Sequence, residues 1–283
     1  MDFGDTLQKI RKNRQMTQKE LAYDIAQQGT YSRIEQSKLA LSAQLLVQLT
    51  TKLNMTVNEF LYVHTNYTIN AREKLIQDFA QMDLTTSAEI KKNLISVQQY
   101  LQQHDDEAIQ HIDLAYQALL ILVEQDDLLQ ARLLAEQIWT KMQKLDHWYL
   151  NDLVLLNAIL FLFPLDSAIE IVSIATKRLD LYKDYEKDMT YLSIYFHLDL
   201  CILYVENKKY ATCLTLLARV FTQFKQKLSY QMLSYIYTYK AICLFHLGQP
   251  NEEVIQQLTT LLTLYEDEDN LTALLHEISV QCS

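Results

Sequence analysis

The sequence predicts an all-α protein, a head of five short helices followed by a long array of helix pairs. Three observations predict it. Glycine and proline number 3 and 2 in 283 residues, where average usage would give roughly 34 between them, so turn-rich strand folds are excluded. Apolar residues recur at helical spacing along the chain, and no stretch keeps the alternation that a strand requires. The segment LYVENKKYATCLTLL superposes on LFHLGQPNEEVIQQL at a shift of 41 residues, the mark of a repeated helix pair.

Composition also bounds function. Gly4, Gly29 and Gly248 stand too far apart for a dinucleotide fingerprint, and none opens a phosphate loop, so nucleotide-driven chemistry of the familiar kinds is excluded. The longest apolar stretch, 153–165, is interrupted by Asn157 and Pro164 and falls short of the roughly 20 residues a bilayer requires. No membrane partner is expected. Met1 leads straight into Asp2 without a secretory signal, which predicts a cytoplasmic protein whose four cysteines are reduced thiols. The formal charge is -10, yet residues 1–64 carry 8 basic and 6 acidic side chains, a net of +2 against -12 for the remainder. A basic end on an acidic chain points to an end that meets a polyanion.

In the head, Phe3, Leu7 and Ile10 form one helical stripe, with Lys9, Arg11, Lys12 and Arg14 around the other side. Thr17, with Glu20 three residues on, forms a capping box that starts a second helix through Leu21, Ala22 and Ile25. The chain breaks at Gln27-Gln28-Gly29. The next turns carry Tyr31 and Ile34 inward and leave Gln28, Thr30, Ser32 and Arg33 facing out, and Glu35 ends the helix. Ser42 caps a fourth helix that buries Leu45, Leu46, Leu49 and Leu53, and a fifth runs over 57–63 through Phe60 and Leu61. The tight turn between the second and third of these helices makes residues 1–65 a helix-turn-helix domain.

Residues 16–61 resemble the DNA-binding domain of phage-repressor-type regulators. The resemblance is carried by Thr17-Gln18, Leu21-Ala22, Ile34-Glu35, the leucine-rich run 45–53 and Glu59-Phe60-Leu61. It implies that the third helix enters the major groove of promoter DNA, with Gln28, Thr30, Ser32 and Arg33 as readers. Arg33 suits guanine bidentately, and Gln28 suits adenine or a phosphate. Gln18, at a helix start, would offer its amide and backbone N–H to a phosphate. Arg11, Arg14, Lys19 and Lys38 would set affinity without sequence choice.

The body, residues 66–283, reads as amphipathic helices over 72–82, 87–103, 106–124, 127–145, 148–163, 166–182, 186–206, 208–226, 230–247, 251–266 and 268–281. An earlier copy of the repeat places Leu128 and Ala131 opposite Tyr210 and Cys213 at a shift of 82. Two helices per ~40 residues describe an α-solenoid close to tetratricopeptide repeats. Such an array curls, and the first helix of each pair lines a concave groove suited to a peptide. Those helices carry Asn151, Asn157, Tyr191, Tyr195, His197, Tyr235, Tyr239 and His246. Asparagine can pair with a ligand backbone, and tyrosine offers a wide apolar face with a polar tip.

A phage-repressor-type head on a helical-repeat body resembles the Rgg family of peptide-responsive transcription regulators. The stretch WYLNDLVLLNAILFLF carries the likeness, through Trp148, Asp152-Leu153 and Asn157. Membership implies a homodimer that binds double-stranded promoter DNA, with a short apolar signalling peptide held in the groove as in quorum sensing. Asn157 is the groove position the resemblance assigns; Asn151, Tyr191, Tyr195 and Tyr239 are added from the helix faces.

Other chemistry has little support. His197 with Cys201 and Cys243 with His246 have helical spacings that can chelate a metal, but neither has the Cys-x-x-Cys spacing of a structural site, and cysteine on an apolar helix is a small core residue. The run Glu266-Asp267-Glu268-Asp269 lacks the EF-hand spacing and reads as a solvated loop. Neither a cofactor nor an enzymatic activity is expected. The alternative to a regulator is a helical-repeat scaffold whose head serves only assembly.

Overall fold

The computed structural model describes residues 2–82, 87–185 and 188–283. Among them the chain forms sixteen α-helices and two single-turn 3-10 segments, with no strand. It divides into two compact units, Met1–Lys74 and Leu75–Ser283.

The first unit holds α1 (Phe3–Asn13), α2 (Gln18–Ala22), α3 (Gln28–Glu35), α4 (Ala43–Lys52) and α5 (Val57–His64), and α6 (Ala71–Ala80) crosses the division. Asp2, Thr17, Ser42 and Thr56 each accept a first-turn N–H, which fixes where four of the five helices begin. α2 stops at Ala22, earlier than the apolar spacing predicts. Tyr23 is extended and Asp24 takes a φ of 61°, so Ile25 lies in the turn. Leu7, Leu21, Tyr31, Ile34, Leu49, Leu53 and Phe60 are buried together. Full burial of each such side chain contributes roughly 1.5–3 kcal/mol. Gly4 lets α1 approach α3 closely, because a Cβ there would sit 2.1 Å from the Ile34 carbonyl oxygen.

The second unit holds α7 (Ser87–Leu101), α8 (Glu107–Gln125), α9 (Leu128–Met142), α10 (Leu150–Ala158), α11 (Leu165–Leu179), α12 (Thr190–Glu206), α13 (Tyr210–Phe224), α14 (Tyr230–His246), α15 (Glu252–Leu264) and α16 (Glu268–Gln281). The helix expected over 148–163 is shorter than its apolar run. Pro164 forces Phe163 into an extended conformation, and the chain tightens into a 3-10 turn at Leu160–Leu162. The helix expected from 186 begins at Thr190, residues 186–187 lying outside the described residues.

Helices α8, α10, α12, α14 and α16 form a row in which each packs on the next, and α9, α11, α13 and α15 pack onto that row. In a curling array the helices that touch one another lie on the inside. α12 and α14 accordingly bury residues on nearly every side, including Leu192, Ile194, Phe196 and Leu198 in α12 and Ile236, Ala241, Ile242 and Cys243 in α14. The repeat is visible in the backbone. α12 and α14 begin and end 40 residues apart and close on left-handed residues, Lys208 and Gly248. Their partners α13 and α15 match at 41, with Cys213 opposite Val254 and Leu217 opposite Leu258, all four buried.

Candidate nucleic-acid interface and ligand groove

α3 is anchored from below by Tyr31 and Ile34, both buried. Gln28 and Arg33 are exposed on it, while Thr30 and Ser32 are half-buried. The helix starts at Gln27 without a side-chain cap. Arg14, Lys19 and Lys38 are exposed around it in sequence. The arrangement offers an exposed arginine, polar side chains and a helix N-terminus on one rigid element.

Arg11 does not belong to that surface, which corrects the sequence expectation. It is buried, its Nε and Nη2 donate to the two carboxylate oxygens of Glu35 at 2.6 and 2.9 Å, and its Nη1 donates to the Met16 carbonyl at 2.7 Å. With its donors spent on α3 and on the turn after α1, it cannot hold a phosphate. The Gln18 amide is also turned inward, donating to Glu35 at 2.8 Å, so its side chain is withdrawn from the expected phosphate role. The Tyr31 hydroxyl completes the set, donating to Glu35 at 2.5 Å. Burial alone would raise the Glu35 pKa, but the bonds from Arg11, Tyr31 and Gln18 outweigh it and hold the carboxyl down at about 2. Glu35 is therefore the ionised hub that fastens α1, α2 and α3 together. The signal was present: Arg11 follows Leu7 by four residues and Glu35 follows Tyr31 by four, so both charges fall on core stripes.

In the second unit, Asn157 near the end of α10 donates through Nδ2 to Asp199 of α12 at 2.7 Å. Asp199 is a residue the sequence reading missed. Its signal is a lone carboxylate inside the otherwise apolar LSIYFHLDLCILYV run of α12. Burial pushes its pKa up to about 8 despite the bond from Asn157. Tyr239 of α14 is 7% exposed, and its hydroxyl makes no hydrogen bond among the described residues. Burial raises its pKa, and so do the nearby Glu277, Tyr235, Asp199 and Glu206. Asn157 and Asp199 thus form a hydrogen-bonded pair between α10 and α12, with Tyr239 of α14 near enough to feel the Asp199 charge.

The remaining groove candidates lie elsewhere along these helices. Tyr191 and Tyr195 precede Asp199 on α12, and Tyr191 is substantially exposed, about two helical turns (~12 Å) from the carboxyl. Asn151 is exposed at the start of α10 and lines a different cavity, with Ile76, Phe79, His111 and Met142. Among the metal-spaced pairs, the His197 Nδ1 lies 2.6 Å from the Ser193 carbonyl and Cys201 is buried. His246 turns its Nε2 to the Gln281 carbonyl at 2.7 Å and stacks on Tyr210.

No protein-family model matches the chain, and no curated protein matches it in sequence. Solved structures do match over nearly its whole length. The SHP pheromone receptor Rgg2 of Streptococcus dysgalactiae is 15% identical, with a TM-score of 0.70 over 98% of this chain and 99% of that one. PlcR of Bacillus thuringiensis, in complex with the peptide PapR7 and DNA, is 17% identical, with a TM-score of 0.69 over 96% and 98%. ComR of S. thermophilus, in complex with DNA and its signalling peptide ComS, is 12% identical, with a TM-score of 0.63 over 99% of each chain. At these identities the likeness establishes a shared fold, from the helix-turn-helix head through the last helix of the repeat.

Proposed function

We propose that this chain is a sequence-specific DNA-binding transcription regulator of the Rgg type, controlled by a short signalling peptide bound on the inner row of its repeat unit. The observation that carries the proposal is α3: Tyr31 and Ile34 hold a helix whose opposite side presents Gln28, Thr30, Ser32 and Arg33. The full-length likeness to regulators solved with peptide and DNA supports joining that helix and the Asn157–Asp199 site in one mechanism.

In this reading Arg33 forks onto a guanine edge, and Gln28, Thr30 and Ser32 read its neighbours. Arg14, Lys19, Lys38 and the open N–H groups at the start of α2 meet phosphates and set register without reading sequence. Residues 1–65 act as the DNA-binding domain and residues 66–283 as the peptide-binding and dimerisation domain of a cytoplasmic, non-enzymatic homodimer. A two-fold dimer must place its reading helices about 34 Å apart to enter successive major grooves. Peptide binding that shifts the repeat helices by a small amount changes that spacing and hence affinity for the operator.

The test starts with the full-length protein and a random duplex pool, from which a preferred sequence is selected. Fluorescence anisotropy then compares the selected duplex with a scrambled one. The wild type should discriminate strongly and Arg33→Ala should lose most of the discrimination. Equal binding of both duplexes by the wild type would leave the scaffold reading in its place.

A further inference from the structure

A polar side chain on a core stripe needs a hydrogen-bond partner. His111 shares the buried stripe of α8 with Ala115 and Ala118 and is 9% exposed, yet its Nε2 is buried without such a partner. The same residue lines a cavity of about 200 Å³ in the second unit. Phe79 of α6, Ile112 of α8, Met142 of α9 and Val154 and Leu155 of α10 supply its apolar walls. The Phe79 ring is held edge-on against Tyr116, with centroids 5.2 Å apart. At the exposed rim, Lys141 of α9 donates to Glu107 of α8 at 2.8 Å, and Asp152 accepts the Tyr149 N–H at 2.8 Å. Burial lowers the His111 pKa, Lys141 acts the same way, and Glu107 and Asp152 oppose them, so the imidazole is neutral at pH 7. The cavity therefore combines apolar walls, a rim whose charges are engaged, and an unpaired neutral nitrogen.

We infer that this cavity binds a small neutral phenol, with the ring against the apolar walls and the hydroxyl paired with His111 Nε2. The size fits. An apolar cavity of about 150 Å³ takes benzene, and about 200 Å³ leaves room for a hydroxyl and a methyl group as well. A hydroxyl is the matching group because a neutral imidazole nitrogen either donates or accepts, according to its tautomer, and a hydroxyl answers both. An aromatic ring suits the walls better than an aliphatic chain, since it offers edge and face to Phe79 and Met142. A carboxylate is disfavoured: the imidazole is uncharged, Lys141 is engaged by Glu107, and Asp152 adds negative charge. The same chemistry could arrive as a free phenol or as the tyrosine of a peptide. The free molecule is favoured, because a tyrosine would press its backbone amides against rim groups that already satisfy one another. The site is also separate from the Asn157–Asp199 pair, since Asn157 lies ~9 Å along the α10 axis from Asn151 at the cavity.

Isothermal calorimetry with the full-length protein compares para-cresol, toluene and para-toluate. Para-cresol should bind about tenfold more tightly than toluene, as expected for a hydrogen bond to an otherwise unpaired buried group, and para-toluate should be weakest. His111→Leu should abolish the preference for para-cresol over toluene while toluene still binds. Ala108→Trp, at an exposed position lining the cavity, should weaken both ligands. Thermal melts check that each variant is folded. In histidine side-chain NMR spectra of the wild type, para-cresol should shift the imidazole signal that is missing from His111→Leu. Equal binding of para-cresol and toluene overturns the hydroxyl assignment, and tightest binding of para-toluate overturns the neutral one. Affinities unchanged in both variants place the ligand elsewhere and overturn the site. A capped tyrosine-containing heptapeptide that shifts the His111 signal where para-cresol does not would give the cavity to a peptide side chain instead. Absence of para-cresol binding up to its solubility removes the inference altogether.

Discussion

The two units withdraw the same chemical group from solvent, Glu35 fully and Asp199 in part, and treat it in opposite ways. In the head, Glu35 receives four donors from Arg11, Gln18 and Tyr31, and its carboxyl stays ionised with a pKa of about 2. In the repeat, Asp199 receives one donor, and its pKa rises to about 8. Burial penalises the ionised form in both places, so the number and charge of the donors decide the outcome. A satisfied carboxylate fastens three helices. A carboxylate held by one neutral amide keeps a raised pKa.

Breaking the satisfied site should have the largest effect. Arg11→Ala leaves Glu35 buried without its cation and should cost the head about 3–5 kcal/mol. Urea unfolding followed by far-ultraviolet circular dichroism measures this, and a loss below roughly 1 kcal/mol would return Arg11 to the surface set. Trp139 and Trp148 both lie in the second unit, so their fluorescence reports that unit alone and should be nearly unchanged by the substitution.

On the outer side of the same helix, Arg33→Ala should cost about 1–3 kcal/mol of discrimination between the selected duplex and a single-base variant, with no change in Tm. A matching loss of Tm would mean that Arg33 is structural.

The pH dependences of the units should run in opposite directions. Glu35 has a depressed pKa when folded, so its stabilisation is present above the ordinary carboxylate value and is lost as pH falls from about 4.5 through about 2. Asp199 has a raised pKa when folded, so the ligand-free repeat is most stable below about 4 and loses stability as pH climbs to about 8. Asp199→Asn should remove that decline and raise the tryptophan-monitored Tm at pH 8 by roughly 2–4 °C or more. A decline that persists in the variant would assign it to another group.

The smallest expected effect sharpens the boundary of the head surface. Lys38→Ala should weaken binding to all duplexes alike and lower the salt-dependence slope by about 1, whereas Arg11→Ala measured where it remains folded should leave the slope unchanged.

Much of this was legible from local chemistry. The Thr17–Glu20 capping box, the Tyr31 and Ile34 anchors, the Ser42 start and the 41-residue period are short-range patterns, and the helices follow them. Pro164 marked the end of α10 in advance, though the apolar run beyond Ala158 masked its reach. Arg11 was misplaced because a charged residue on a core stripe resembles a surface residue until its partner, 24 positions away, is seen beside it. Asp199 was missed for the same reason, since its one donor lies 42 positions back.

The sequence by itself determined the helices, their order and the repeat, because hydrogen bonds within a helix and apolar periodicity act over a few residues. Only the tertiary structure decided which charges are neutralised and which are left wanting. Donor and acceptor meet there across helices dozens of residues apart, and the free energy of a buried carboxylate depends on what packing brings within 3 Å of it.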